Sequence, residues 1–398
     1  MTGGQPGGKS FSGNVVWKSL LKRAPIIVSL DSPARLACGI DTTMTRQFSK
    51  IDVTPDWEGL VRCIRRQGPL RRVHFIELYL DGEVQEAISR QFGVAGNDLV
   101  RQINLQRFLG YDYVLMGLDN VVWTFPHHVA DDTAGLARAS GRGFVESGRG
   151  PITNWEEFER YPWPVPTQWN SRSLEWLTAN LPDDMCIIGG LCSHFAEHLS
   201  RLMGYETLCL ALYDQRELVK AIADRVLEID RVMLARLLEF DRVKIIWGSD
   251  DMGFRTGPLI SPADLREFVL PGHKLMAQMT HAAGRPYLLH CCGQITDIMP
   301  DLIDDVRIDA RHSFEDVIEP VTEAKRRYGQ RIALLGGLDV DFLCRASIPA
   351  IRERVRRTLE VCLPGGGYCL GTGNSVTNYI PVENYLAMLD AGRKFSPA

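Results

Sequence analysis

The residues best suited to chemistry in this sequence fall in His290-Cys291-Cys292-Gly293. Alternate residues of a strand point to one side, so an imidazole at 290 and a thiolate at 292 would face a common ion. A nitrogen and a sulfur donor suit Zn²⁺, which in catalytic sites takes three protein ligands and leaves one position open. The same spacing also fits a hydrogen-bonded interior histidine beside a small buried thiol. Asp250-Asp251 is a second candidate. Paired carboxylates drive their pKa values apart, which suits a general acid and base, although a capping pair in a loop would look the same. His312 and Glu315 could reach the same centre, and Glu77, Asp119 and Asn374 add polar groups that could hold a substrate. Trp247 and Phe254 would wall a flat apolar pocket, or belong to the core.

These residues share a pattern of placement. Each sits at or near the end of a short apolar run followed by a helical period. The runs are 73–80, 113–119, 186–191, 243–251, 286–292, 308–315, 332–339 and 368–375. Near-continuous apolar runs are what strands buried on both faces require. Between them, 214–240 carries Leu218, Ile222, Val226, Ile229, Met233 and Leu237 at helical spacing. Ser261-Pro262-Ala263-Asp264 reads as a helix start, with Ser at the N-cap and Pro at the first helical position. Eight strands alternating with helices predict an α/β fold, a single (β/α)₈ TIM barrel, with an open doubly wound sheet as the rival. In a barrel the strand ends converge on one mouth, so the polar set above would share one site.

Outside the repeat, residues 1–13 read as a flexible leader and 14–67 as an N-terminal extension with a helix near 57–66. The barrel domain is expected over 68–398, with a long insertion at 120–182. Within the insertion, Gly135–Gly150 reads as a hairpin, and His127-His128 and Asp131-Asp132 as surface or lid residues. Insertions at this face of a barrel commonly cover substrate.

Composition narrows the function classes. Of 398 residues 45% are apolar and 24% charged, as in ordinary globular enzymes. The net charge of −4 comes without a basic run, so neither nucleic acid nor an anionic membrane is an expected partner. No apolar stretch approaches a bilayer span. Ten scattered cysteines in a chain this long read as reduced thiols of a cytoplasmic protein.

The segments Gly248–Pro262 (GSDDMGFRTGPLISP), His290–Gly293 (HCCG), Asp309–Pro320 (DARHSFEDVIEP), Leu334–Asp341 (LLGGLDVD) and Pro364–Met388 together resemble the uroporphyrinogen decarboxylase superfamily. The superfamily includes the heme-pathway decarboxylase and the corrinoid-dependent (methylcobamide) methyltransferases. The arginine-rich segment that grips substrate carboxylates in the decarboxylase has no counterpart before Glu77, so the resemblance is closer to the methyltransferase branch. That branch binds zinc through His-x-Cys and a distal Cys. His290 and Cys292 match the first part, whereas the distal position falls near Asn374, in Gly373-Asn374-Ser375. The third ligand is then replaced, with Glu315, His312, Asp250 and Glu77 as candidates, or absent.

The resemblance implies transfer of a methyl group between a small donor, such as an aryl methyl ether or a methylamine, and a corrinoid carried by a partner protein. Zinc at His290 and Cys292 would assist, Asp250, Asp251 and His312 would handle protons or orient substrate, and Asn374 would hydrogen-bond it. A homo-oligomer is compatible with this reading. The alternative is a metal-independent decarboxylase of a porphyrinogen or other carboxylated substrate, with Asp250 holding pyrrole N–H groups and Arg138, Arg142 and Arg149 meeting carboxylates. A barrel that binds a ligand without turning it over is a third option, disfavoured by the crowded polar rim.

Overall fold

The computed structural model of the protein describes residues 53–68, 70–145 and 148–395. The expected leader and most of the expected extension therefore lie outside the described residues; the helix foreseen near 57–66 is present as Trp57–Ile64.

Seven strands form one parallel sheet in the order β1 (Tyr113–Met116), β4 (Cys186–Cys192), β5 (Val243–Asp251), β6 (Tyr287–Cys292), β7 (Ala310–His312), β8 (Ala333–Leu335) and β9 (Tyr368–Cys369). β4, β5 and β6 are buried along nearly their whole length, as their apolar runs require. Each crossover is helical. The one from β4 to β5 ends in the helix Arg216–Leu238, which buries Leu218, Ile222, Val226, Ile229, Met233 and Leu237. Ser261 caps the helix Pro262–Phe268, its hydroxyl accepting the Asp264 N–H at 3.1 Å.

The first apolar run does not form a full ladder. Residues 73–80 run parallel to β9 and its continuation through two isolated bridges, Phe75 to Leu370 and Leu80 to Val376. Toward β1 the link is a side chain: Tyr113 accepts the Glu77 N–H at 2.8 Å and donates to the Glu77 carbonyl at 3.0 Å. A curled parallel sheet results, with a side-chain bond where an eighth ladder would stand.

Between β1 and β4 lies an antiparallel hairpin, β2 (His127–Ala130) with β3 (Arg142–Val145). It starts earlier than the glycines of 135–150 suggest. The Asp132 carboxylate accepts the N–H groups of Ala134 and Arg138, curling the connection around Gly135 and leaving 142–145 to pair back onto 127–130.

The glycine closing the His-Cys-Cys-Gly run has a defined task. Gly293 has φ +82°, and a Cβ there would stand 2.1 Å from the Gly253 carbonyl oxygen. The loops after β5 and β6 thus touch through bare backbone. Gly293→Ala is expected to cost about 1–3 kcal/mol of folding stability, read by chemical denaturation, through the positive φ and the forced separation of these loops. An unchanged midpoint would contradict the close approach.

Candidate metal centre at the strand ends

The parallel register sets which side chains meet. Asp251 pairs with Cys292, Ser249 with His290, and His290 with His312. In-register neighbours share a face of the sheet and successive residues alternate. Asp251, His290, Cys292 and His312 therefore fall on one side, and Asp250 and Cys291 on the other.

On the first side one ligand atom each from Asp251, His290 and Cys292 lies within 4.8 Å of the other two. Cys292 Sγ stands 3.3 Å from His290 Nε2, and Asp251 Oδ1 is 4.0 Å from the same nitrogen. Asn374 Nδ2 donates to Cys292 Sγ at 3.3 Å, and His290 Nδ1 lies 2.7 Å from His312 Nδ1. Burial, with the adjacent His312 imidazole disfavouring a second positive charge, pushes the His290 pKa well below the usual imidazole range. Burial and the neighbouring Asp251 push the Cys292 thiol up, and burial together with Glu197 raises Asp251. These three groups are costly to ionise side by side in a confined space, and a cation among them would offset that cost. Nitrogen, sulfur and carboxylate donors within reach of one point, two of them sheltered, fit a zinc ion.

On the second side Asp250 is fully buried. Its carboxylate accepts N–H groups of Ala196, Glu197 and Asp251 at 2.8–3.0 Å, at the start of the helix Phe195–Met203, and meets His273 Nε2 at 2.9 Å. His273 Nδ1 in turn lies 3.0 Å from the Tyr287 hydroxyl. The two adjacent aspartates thus point apart: Asp251 faces the cluster, while Asp250 ties β5 to two helices.

The other candidates are distributed around this centre. Glu77 is buried and accepts from Thr372 N at 2.9 Å and Thr372 Oγ1 at 2.5 Å. Asp119 holds Ser173, through N at 3.1 Å and Oγ at 2.7 Å. Trp247 is fully buried, its ring edge-on to His312 with centroids 5.7 Å apart. Phe254 is half-exposed and packs edge-on against Tyr205. Glu315 lies outside the three-donor cluster, where burial and the charge of Asp339 raise its pKa. Glu315 and Asp339 line a cavity of about 1070 Å³ together with Tyr79, Phe342, Tyr379 and Asn374. Asn374 is thus both a wall of that cavity and a donor to Cys292.

Sequence reasoning missed His273, Thr372 and Glu197. His273 sits mid-helix without a local signal. Thr372 was legible only as the residue between Gly371 and Gly373. The arginines that would meet substrate carboxylates in a decarboxylase are engaged by this chain's own acids. Arg138 forks onto Glu83 at 3.0 and 3.1 Å, Arg142 meets Asp132 at 2.9 Å, and Arg149 meets Glu157 at 2.7 Å.

Residues 113–395 match the uroporphyrinogen decarboxylase (URO-D) family. The chain belongs to that family. Among its relatives, a methylated-thiol–coenzyme M methyltransferase of Methanosarcina mazei is 34% identical over 133 residues, covering 33% of this chain and 34% of that protein. A uroporphyrinogen decarboxylase of Methylococcus capsulatus is 40% identical over 79 residues, 20% of this chain and 22% of that one. The matches thus span about a third and about a fifth of those relatives. A solved structure, a methyltransferase from Methanosarcina mazei, superposes with TM-score 0.59 at 17% identity, over 84% of this chain and 97% of that one, and shares the fold. Among the described residues no helix is long and apolar enough to cross a membrane, and the cysteines are free thiols.

Glu77 offers a test of the interior chemistry. Burial raises its pKa from 4.5 to about 8, against the Thr372 bonds that lower it. The folded state then holds this proton more tightly than the unfolded chain, so the stability it contributes is greatest below the unfolded pKa and falls as pH rises through the folded one. Glu77→Gln keeps an acceptor for Thr372 N and stays neutral; its amide can donate to Thr372 Oγ1 while that hydroxyl turns to the Asn374 carbonyl, 3.2 Å away. Its melting temperature is expected to gain on wild type steadily between about pH 5 and pH 8. A gap independent of pH would contradict a neutral Glu77.

Proposed function

We propose that this protein is a metal-assisted methyltransferase that moves a methyl group between a small methylated donor, such as an aryl methyl ether or a methylamine, and a corrinoid carried by a separate protein. The observation that carries the reading is the convergence of Asp251, His290 and Cys292 on one point beside a large cavity. The likeness to a methylated-thiol–coenzyme M methyltransferase over 133 residues supports it. The occupied guanidinium groups of Arg138, Arg142 and Arg149 weigh against the decarboxylase alternative.

In this reading the sheet closes as a (β/α)₈ barrel with 73–80 as its eighth strand, over a domain of 68–398. The insertion 120–182 covers part of the mouth, and the protein works in the cytoplasm with reduced thiols. His290 Nε2, Cys292 Sγ and an Asp251 oxygen would hold zinc, Asp251 taking the place that a distal cysteine fills in the methyltransferase branch. When bound, zinc supplies Lewis acidity to the oxygen, nitrogen or sulfur that carries or receives the methyl group, lowering its pKa and making it a better leaving group or nucleophile.

The chain's own residues do the rest. Asn374 donates to the Cys292 sulfur, tempering its basicity, and stands at the cavity wall to orient substrate. His312 supports His290 from behind, and Asp250 with His273 keeps the end of β5 rigid. Glu315 stands at the cavity rim, where its raised proton affinity suits exchange of a proton with an arriving substrate.

Metal analysis of the purified protein is expected to find about one zinc per chain. His290→Ala and Cys292→Ser should abolish it, and Asp251→Asn should weaken it. Methyl transfer to free cob(I)alamin from the preferred donor should fall by about 1000-fold in the first two variants, the several kcal/mol that Lewis-acid assistance supplies. Wild type that stays metal-free while transferring methyl groups at full rate would sink the reading.

A further inference from the structure

His290 can ligate a metal through Nε2 only if its ring proton sits on Nδ1, and the surrounding hydrogen bonds bear on where that proton goes. The chain of contacts starts at a backbone carbonyl. His312 Nε2 lies 3.3 Å from the Thr372 oxygen. A carbonyl oxygen only accepts, so His312 Nε2 carries a hydrogen. His312 is fully buried, and its contacts are a carbonyl, a second imidazole and the Trp247 ring, so an imidazolium there would stand without a counter-ion and the ring is neutral. A neutral ring with hydrogen on Nε2 has a bare lone pair on Nδ1. That nitrogen stands 2.7 Å from His290 Nδ1, a separation that needs one proton between the two. His290 must provide it. Its Nε2 is then left unprotonated, aimed toward Cys292 Sγ at 3.3 Å.

The anchor of this chain is itself built in. The Thr372 oxygen also accepts the Gly337 N–H at 3.0 Å, so both of its lone pairs are used. Thr372 N and Oγ1 are held by the buried Glu77. Gly336, with φ +72°, makes room for the contact: a Cβ there would lie 2.1 Å from the Thr372 oxygen and 3.0 Å from His312 Nε2. The glycines of Leu334-Leu335-Gly336-Gly337 thus permit a hydrogen bond two strands away from the metal donors.

We propose that His312, anchored on the Thr372 carbonyl, is a positioning residue that fixes the tautomer of His290 and presents Nε2 to the metal. It acts through His290 and does not touch substrate. Its consequence for metal binding rests on the metal reading above, whereas the tautomer itself does not.

The test uses the full chain, freed of metal with a chelator and labelled with ¹⁵N-histidine. Long-range proton–nitrogen correlation should show His290 protonated on Nδ1 and bare on Nε2. His312→Asn, whose amide can place an acceptor where Nδ1 stood, should keep that tautomer and bind zinc within a few-fold of wild type in competition with a chromophoric chelator. His312→Phe, which offers no acceptor, should mix the tautomers and weaken zinc binding by about 10- to 100-fold, the usual cost of losing an outer-shell partner. Wild type with the proton on His290 Nε2 overturns the proposal whatever the variants do, as does His312→Phe retaining both tautomer and affinity. A wild type with the expected tautomer that takes up no zinc upholds the positioning and overturns the metal reading.

Discussion

The site depends on the in-register parallel ladder of β5, β6 and β7. The pleat sends alternate residues to opposite faces, and the register puts Asp251 beside Cys292 and His290 beside His312. A slip of one residue would replace Asp251 by Asp250 and break the cluster. Much nearby structure holds that register. Asp250 joins β5 to the start of one helix and to His273 of another. Gly293 and Gly253 close the two loops upon each other.

The same ladder explains why a dense polar set is tolerated at the end of an apolar sheet. Buried polar groups cost stability unless each finds a partner. Glu77 is taken by Thr372, Asp250 by backbone N–H groups and His273, and His312 by His290 and Thr372. Asp251 and Cys292 differ from these groups in lying at the more accessible edge of the set. The sulfur meets Asn374 Nδ2 and His290 Nε2 at 3.3 Å with Ser313 Oγ at 4.0 Å, and the carboxylate is half-exposed beside it. Their proton affinities are raised together, as expected where a cation belongs.

Much of this was legible in the sequence because it is local. Seven of eight apolar runs contain strands of the sheet, and the long helix after β4 buries the residues its spacing selects. His290-x-Cys292 was readable for the same reason, since a two-residue period belongs to a single strand. The eighth run, 73–80, has the right composition but bridges β9 at only two points, a matter of geometry that composition does not carry. Register was equally invisible. The aspartate pair looked like one acid–base unit, yet the pleat divides it, and Asp251 rather than Glu315 comes within reach of His290 and Cys292. The Thr372 carbonyl left no trace, because a backbone acceptor has no residue type to read.

The most direct test of the central claim, a site with one sulfur donor and a carboxylate where the methyltransferase branch has a second cysteine, is X-ray absorption at the zinc edge of the zinc-loaded protein. The account predicts a first shell with one sulfur and the remainder nitrogen or oxygen, and loss of the sulfur in Cys292→Ser. A shell with two sulfurs, or one unchanged by that substitution, would contradict it.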